Sequence, residues 1–310
     1  PGDEVIVTPR SFVASAACIA HAGATPVFAD VDATSQNITP ATAGPLITDR
    51  TRAILCVHLG GWPCDMAGFR ALTGGRDIAL IEDCAQAHGA RIGARPVGGL
   101  GDVAAWSFCQ DKIMTTGGEG GMVTTDDEAM WKRMWAFKDH GKDWDTVHRT
   151  DHPPGFRWLH KSIGSNFRMT EMQAAIGRIQ LGRMAGWHAA RVGNATAIMD
   201  AARRCPAFRV PEVPTGVTHA FYKLSLFLSD AAISAGIDRD ALVARITSAG
   251  VPCFQGICPE IYREGAFAPH AELPVAAALG RTSLCFLVHP TLTGAEIAKT
   301  CDVLDTVGSI

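Results

Sequence analysis

The 310-residue sequence predicts an α/β fold with a mostly parallel sheet flanked by helices, followed by a smaller C-terminal α+β unit. Three observations lead there. In the first half, short β-branched runs alternate with helical patterns, as parallel strands joined by crossover helices require. The run Ile78–Ile81 is continuously apolar, which suits a strand covered on both faces. Past about Pro206 the pattern changes, so a large unit over 1–205 and a small one over 206–310 are expected.

Taken in order, Val5–Val7, Pro26–Val31 and Ala53–Leu59 read as strands. Between them Phe12–Ala22 reads as a helix closed by Gly23, and Asp65–Leu72 as a second that ends before Gly74-Gly75. The strand Ile78–Ile81 runs into Glu82-Asp83. Val103–Phe108 and Gly121–Thr125 are the next strands, on either side of a glycine cluster. Asp126 or Asp127 caps a helix through Phe137 that stops near Gly141. The charged and aromatic stretch Lys142–Lys161 reads as a long excursion, a length at which loops tend to carry function or lack order. Thr170 and Gln173 fit a T-x-x-Q capping box, opening a long helix with Ala175, Ile176, Ile179 and Met184 on one face. In the C-terminal part, Ala220–Leu228 and Ser283–Val288 read as strands, Asp238–Ala249 and Gly294–Val307 as helices.

Composition narrows the function. The chain is 47% hydrophobic and 19% charged, with a net charge of −3 from 28 basic and 31 acidic residues spread without blocks. No footprint for nucleic acid or an anionic membrane surface follows from that balance. No apolar run reaches the ~18 residues of a membrane span, and Pro1-Gly2-Asp3-Glu4 lacks the regions of a signal peptide, so a cytoplasmic location is expected. Ten cysteines form no C-x-x-C and eleven histidines no H-E-x-x-H, so buried free thiols are expected and no metal site. Walker A, Rossmann and G-x-S-x-G motifs are absent from the sequence.

Two groups stand where open α/β sheets gather their chemistry, at the carboxyl ends of strands: Asp83 after "DIALIE" and Lys112 just after "VAAWSF". A lysine that bonds to a cofactor aldehyde and an acid that pairs with a protonated pyridine nitrogen are what a pyridoxal phosphate enzyme needs. Spacing alone equally allows a solvated loop lysine and an aspartate that caps the segment "CAQAHG". Gly117, Gly118, Gly120 and Gly121 let backbone turn sharply and approach a ligand.

The local wording decides between these. "IEDCAQAHGA", "GDVAAWSFCQDKIMTTGGEGGMVTTDD" and "SNFRMTEMQAAIG", preceded by "GDEVIVTPRSFVASAACIAHAGATPVFADVD" and "VHLGGWPCDM", resemble the DegT/DnrJ/StrS family of sugar aminotransferases in the same order along nearly the whole chain. The resemblance implies a fold-type I pyridoxal-phosphate-dependent transferase and pyridoxal 5′-phosphate as cofactor. It implies that Lys112 is the covalent anchor and later shuttles the substrate proton, that Asp83 holds the pyridinium, that Gln86 contacts the ring's 3′-oxygen and that Ser107 bonds the phosphate. Phe12 falls where the family stacks an aromatic ring on the pyridine, with a core phenylalanine in an apolar helix as the alternative. Asn166 resembles the residue that crosses a homodimer interface to the partner's phosphate, in keeping with its place just before a helix N-terminus. Arg168 is implied at phosphate or substrate or in a local cap, and Glu119 at the loop or the sugar. Trp62, the 142–161 excursion, Gln255 and His289 are further candidate substrate contacts. The implied reaction moves an amino group from an amino acid, glutamate, to a nucleotide-linked ketosugar.

Two departures matter. Family members more often read His-Pro-x-Lys where this chain has Cys109-Gln110-Asp111-Lys112, so no role passes over from that histidine. The sequence also opens at "PGDEVIV", without the upstream segment the family uses to grip phosphate, and residues ahead of Pro1 are expected. The rival readings are a non-catalytic regulator or scaffold on this fold, and a dehydratase or carbocycle aminotransferase of the same family. A relative with histidine at the lysine position dehydrates, so Lys112 favours transamination.

Overall fold

A computed structural model describes residues 1–267 and 269–307. The chain runs through β1 (Glu4–Val7), α1 (Ala14–His21), β2 (Thr25–Phe28), α2 (Pro40–Ala43), β3 (Thr51–Val57), α3 (Met66–Thr73) and β4 (Ala79–Asp83). A small pair, β5 (Arg91–Ile92) and β6 (Arg95–Pro96), precedes β7 (Val103–Ser107), β8 (Gly121–Thr124), α4 (Glu128–Lys138) and α5 (Trp144–His148). Then come the 34-residue α6 (Glu171–Arg204), β9 (Phe208–Arg209), β10 (Val217–Thr218) and β11 (Leu224–Leu228). The chain finishes with α7 (Asp230–Ser234), α8 (Arg239–Ser248), β12 (Cys253–Phe254), α9 (Pro274–Thr282), β13 (Ser283–Phe286) and α10 (Gly294–Val307).

The main sheet has the order β2-β1-β3-β4-β7-β8. Its first five strands are parallel and β8 returns antiparallel to β7. Ile6, Ile54 and Leu80 stand in register across β1, β3 and β4 and are wholly buried, which explains why these strands read as apolar runs. The order reverses between β1 and β3, and open α/β sheets bind ligands at the carboxyl ends of their strands beside such a switch point. The second sheet, β12-β13-β11-β9, is antiparallel throughout. Its apolar cluster takes in Ala195, Ile198 and Ala202 from the far half of α6 together with Leu226, Phe286 and Leu304. β10 pairs with β5 and joins C-terminal to N-terminal chain. Among the described residues no helix is long and apolar enough to cross a membrane.

Several boundaries differ from the sequence reading. The strand expected through Val31 ends at Phe28, because Asp30 turns away to accept the Val275 and Ala276 amides (both 2.9 Å) and caps α9. The helix expected from Phe12 starts at Ala14. The strand expected from Ala220 starts only at Leu224: the Ala220 and Tyr222 amides donate to the Gly61 and Gly60 carbonyls (both 2.9 Å), and Phe221 takes a positive φ of 47°. Asp65, Asp127 and Asp238 cap their helices, and the Thr170–Gln173 box forms. The expected apolar face of α6 is open to solvent over part of its length, with Ile179 60% exposed. Within the 142–161 excursion, α5 packs the Trp144 ring edge-on against Trp131 and Trp135. Six of the ten cysteines are buried, and Cys18, Cys109, Cys258 and Cys301 are not.

Beneath the site lies a buried carboxylate. Glu82 Oε1 accepts the Leu100 and Gly101 amides (2.8 and 2.6 Å), and Oε2 accepts the Gly98 amide (2.9 Å) and His58 Nε2 (3.0 Å). The Cys64 amide donates to His58 Nδ1 (3.0 Å), which leaves the ring proton on Nε2. His58, Glu82 and Cys84 do converge, but the imidazole and carboxylate lone pairs are already engaged, so the cluster reads as a structural knot. Burial opposes the Glu82 charge, yet the His58 and backbone donors outweigh it and hold the carboxyl below its ordinary value of 4.5. Its stabilisation is therefore present above that pH and fades as pH falls through the lowered value. Glu82→Gln should cost about 3 kcal/mol at neutral pH, since backbone donors lose their acceptor in a dry interior. Urea unfolding at pH 7 and pH 4 checks this: the variant's deficit should shrink at the lower pH.

Candidate active site

The site assembles where β1, β3, β4 and β7 deliver their carboxyl ends. Asp83 is the last residue of β4; its Oδ2 accepts from Ser15 Oγ on α1 (2.9 Å) and its Oδ1 from the Ala85 amide (3.0 Å). Ser11 and Ser15 share a further bond at 3.0 Å, so the carboxylate is oriented from two sides. Ser107 closes β7, where Asp83 stands in register with Ala105, and the two strand ends lie side by side. Gln86 is buried and accepts the Gly60 amide at 2.7 Å, with the loop after β3. That loop demands glycine at 61, since φ is +98° and a Cβ would stand 2.7 Å from that of Ala220.

Lys112 follows β7 in a turn closed by its own amide to the Cys109 carbonyl (3.0 Å). Its side chain is 15% exposed; the amine lies 3.6 Å from Asp111 Oδ1 and 5.2 Å from the centre of the Tyr222 ring. Nearby, His88 packs against the Trp106 and Phe108 rings (5.2 and 5.9 Å). Burial first and the Lys112 charge second push the His88 imidazole down to about 4, so it is neutral at pH 7.

The glycine-rich loop is bolted to α6. Gln173 Nε2, from the capping box itself, donates to the Glu119 carbonyl (2.7 Å), and Gln180 Oε1 accepts the Thr115 amide (2.9 Å). At Gly117, with φ +85°, a Cβ would sit 2.9 Å from Ile176 Cδ1. Glu119 Oε1 faces the Cys109 thiol at 3.5 Å.

The structure thus places Asp83, Gln86, Ser107 and Lys112 at or just beyond the carboxyl ends of β4 and β7. Phe12 follows Ser11, 63% exposed and ahead of α1, so it is not a core residue of that helix. The other candidates have partners elsewhere. Asn166 bridges to Asp139, and Arg168 pairs with the Asp139 carboxylate, which Lys142 also meets at 3.2 Å. Trp62 is buried edge-on to His219 (5.6 Å). His289 bonds the Thr291 hydroxyl (2.8 Å), and Gln255 reaches Asp240 (3.4 Å). Sequence reasoning missed Ser15, Asp111 and Tyr222. Asp111 adjoins the lysine and could have been read from that adjacency; Tyr222 comes from 110 positions away with no local signal.

The family model described as DegT/DnrJ/EryC1/StrS aminotransferase matches residues 1–305. Among curated relatives, the UDP-N-acetyl-3-dehydro-α-D-glucosamine 3-aminotransferase of Acidithiobacillus ferrooxidans is 34% identical, over 98% of this chain and 77% of its own. The GDP-perosamine synthase of Caulobacter vibrioides is 33% identical, over 99% and 80%. Among solved structures, an aminotransferase from Psychrobacter cryohalolentis superposes with a TM-score of 0.95 at 52% identity, covering 99% of this chain and 81% of that one. DesV of S. venezuelae gives 0.87 at 28% identity, over 100% and 79%.

The family match and these relatives make the chain a pyridoxal-phosphate-dependent aminotransferase. The chain belongs to the DegT/DnrJ/EryC1/StrS aminotransferase family.

Proposed function

We propose that this enzyme takes an amino group from an amino acid, glutamate, and delivers it to a ketosugar carried on a nucleotide, for polysaccharide or glycoside assembly. The observation that supports the reading is the Asp83 carboxylate, fixed by Ser15 at the carboxyl end of β4, with the largely buried Lys112 amine following the adjoining strand β7. The relatives named for UDP- and GDP-linked sugars supply the substrate class. The cofactor, when bound, supplies an electron sink and a carrier for the amino group.

This chain's residues supply the rest. Asp83 holds a proton on the ring nitrogen, with Ser15 and the Ala85 amide fixing its carboxylate. Gln86 meets the 3′-oxygen, Ser107 the phosphate, and the exposed Phe12 covers the ring face. Lys112 anchors the cofactor and moves the proton at the substrate carbon. Glu119, Arg168, Trp62 and His289 are the further residues assigned to the substrate, Arg168 on release from its Asp139 partner. In this reading 1–205 carries the cofactor and 206–310 closes over the substrate, α6 being shared by both. Nucleotide-linked sugars and free glutamate meet in the cytoplasm, which is where the enzyme works.

The working unit is a homodimer. Phe167, Met172, Ile179 and Leu181 are between 60% and 78% exposed on one stretch of chain, more apolar surface than a lone soluble subunit tends to display. Asn166 lies in the same stretch, in line with a role at the partner's phosphate. Ile179→Asp should turn the dimer into monomers by light scattering and weaken cofactor retention together with it. The transfer itself is tested with a panel of UDP-, GDP- and dTDP-linked 3- and 4-ketosugars and L-glutamate, read by mass. Conversion of ketone to amine in one of them is the expected result, and no conversion with any donor or acceptor would refute the reading.

A further inference from the structure

We propose that Asp111 and Tyr222 are positioning residues that receive the Lys112 amine whenever it is not bonded to the cofactor, hold its extra proton and keep it aimed at the site. The inference deepens the transaminase reading and rests on it. A lysine that anchors a cofactor must let go during each exchange, and it then needs a defined place from which to give and take protons.

The structure contains such a place. The Asp111 carboxylate bridges two neighbours: Tyr222 Oη donates to Oδ2 at 2.6 Å, while the Lys112 amine stands 3.6 Å from Oδ1. The same amine lies over the Tyr222 ring at 5.2 Å, within the range of a cation–π contact. Amine, carboxylate and phenol therefore close a triangle. Burial works against the Asp111 charge, but the Tyr222 hydroxyl and the Lys112 ammonium outweigh it and hold the carboxyl below its ordinary value. Burial, with Asp111 behind it, pushes the Tyr222 phenol up, so it remains a neutral donor. Other titratable groups nearby are the neutral His88, the Cys109 thiol, which bonds the Asp111 side chain, and Lys223, whose ammonium lies 5.3 Å from the Tyr222 ring. None of them replaces Asp111 as a counter-charge.

Tyr222 is held for this task by backbone that does not join the sheet. Its amide donates to the Gly60 carbonyl (2.9 Å), and its carbonyl and that of Phe221 accept from Arg191 Nη1 (3.2 and 3.0 Å). The positive φ at Phe221 is stabilised by its amide donating to His219 Nδ1 at 2.8 Å.

The test uses the full chain stripped of cofactor, then reloaded. With pyridoxal phosphate and cyanoborohydride at pH 7, the free amine condenses with the aldehyde and loses water; hydride and a solvent proton then reduce the linkage to a stable secondary amine, counted by mass on the Lys112 peptide. Asp111→Asn keeps an acceptor for Tyr222 but removes the counter-charge. Trapping should become about three- to tenfold faster, the effect of one half-exposed neighbouring charge. The single-turnover reaction of the reloaded enzyme with L-glutamate, followed by absorbance, should slow about tenfold. Tyr222→Phe should shift both in the same directions by less, and Asp111→Glu should restore both in part. Equal trapping in all variants, or trapping and turnover falling together with thermal stability, would overturn the proposal. Wild-type protein that is not trapped at Lys112 would instead sink the anchor assignment itself.

Discussion

Lys112→Ala is expected to lower amino transfer by at least about a thousandfold while the protein stays folded. The loss combines the covalent anchor with the proton shuttle, and acid–base catalysis by one positioned side chain is alone worth roughly 10²–10⁴. The fold should tolerate the change. The amine's polar contact is a 3.6 Å pair with a half-exposed aspartate, and such pairs contribute about 0–1 kcal/mol. Asp111 keeps its Tyr222 donor when the amine is gone. Circular dichroism and a thermal melt close to wild type, beside abolished turnover, would separate chemistry from collapse. Turnover retained within tenfold would mean that another group does the work.

Asp83→Asn should have the second largest effect, about a hundredfold on turnover with visibly weaker cofactor retention. The side chain keeps its size and an oxygen for Ser15 or Ala85, so what disappears is the charge facing the ring nitrogen. Removing one partner of a shielded ion pair costs about 3 kcal/mol, which converts to about a hundredfold. Ser15→Ala, which only loosens the carboxylate, should cost several-fold. Equal losses for Asp83→Asn and Ser15→Ala would indicate that the aspartate acts through local structure rather than charge.

Much of this was legible in the sequence because its signals are local. The β1, β3 and β4 runs show their apolar register directly, and Asp65, Asp127, Thr170 and Asp238 announce their helices by capping. Asp83 and Lys112 could be placed at strand ends from the runs before them. What escaped depends on contacts distant in sequence. Asp30 leaves β2 to cap a helix 245 residues away, and nothing in Pro26–Val31 signals it. Tyr222 stands opposite the lysine because Gly60 and Gly61 draw Ala220–Tyr222 out of the sheet, a bond between backbone atoms that side-chain pattern does not encode. Phe12 looked like the start of an apolar helix because α1 behind it is rich in alanine, yet it precedes that helix and its side chain is exposed.

The central claim, a cofactor bonded to one amine at one strand end, is most directly checked by borohydride reduction of the cofactor-loaded enzyme followed by digestion and mass spectrometry. The reduced cofactor should appear on the peptide containing Lys112, and on no peptide from the Lys112→Ala protein. Its appearance on a different lysine, or on none in protein that absorbs as a loaded enzyme, would contradict the account.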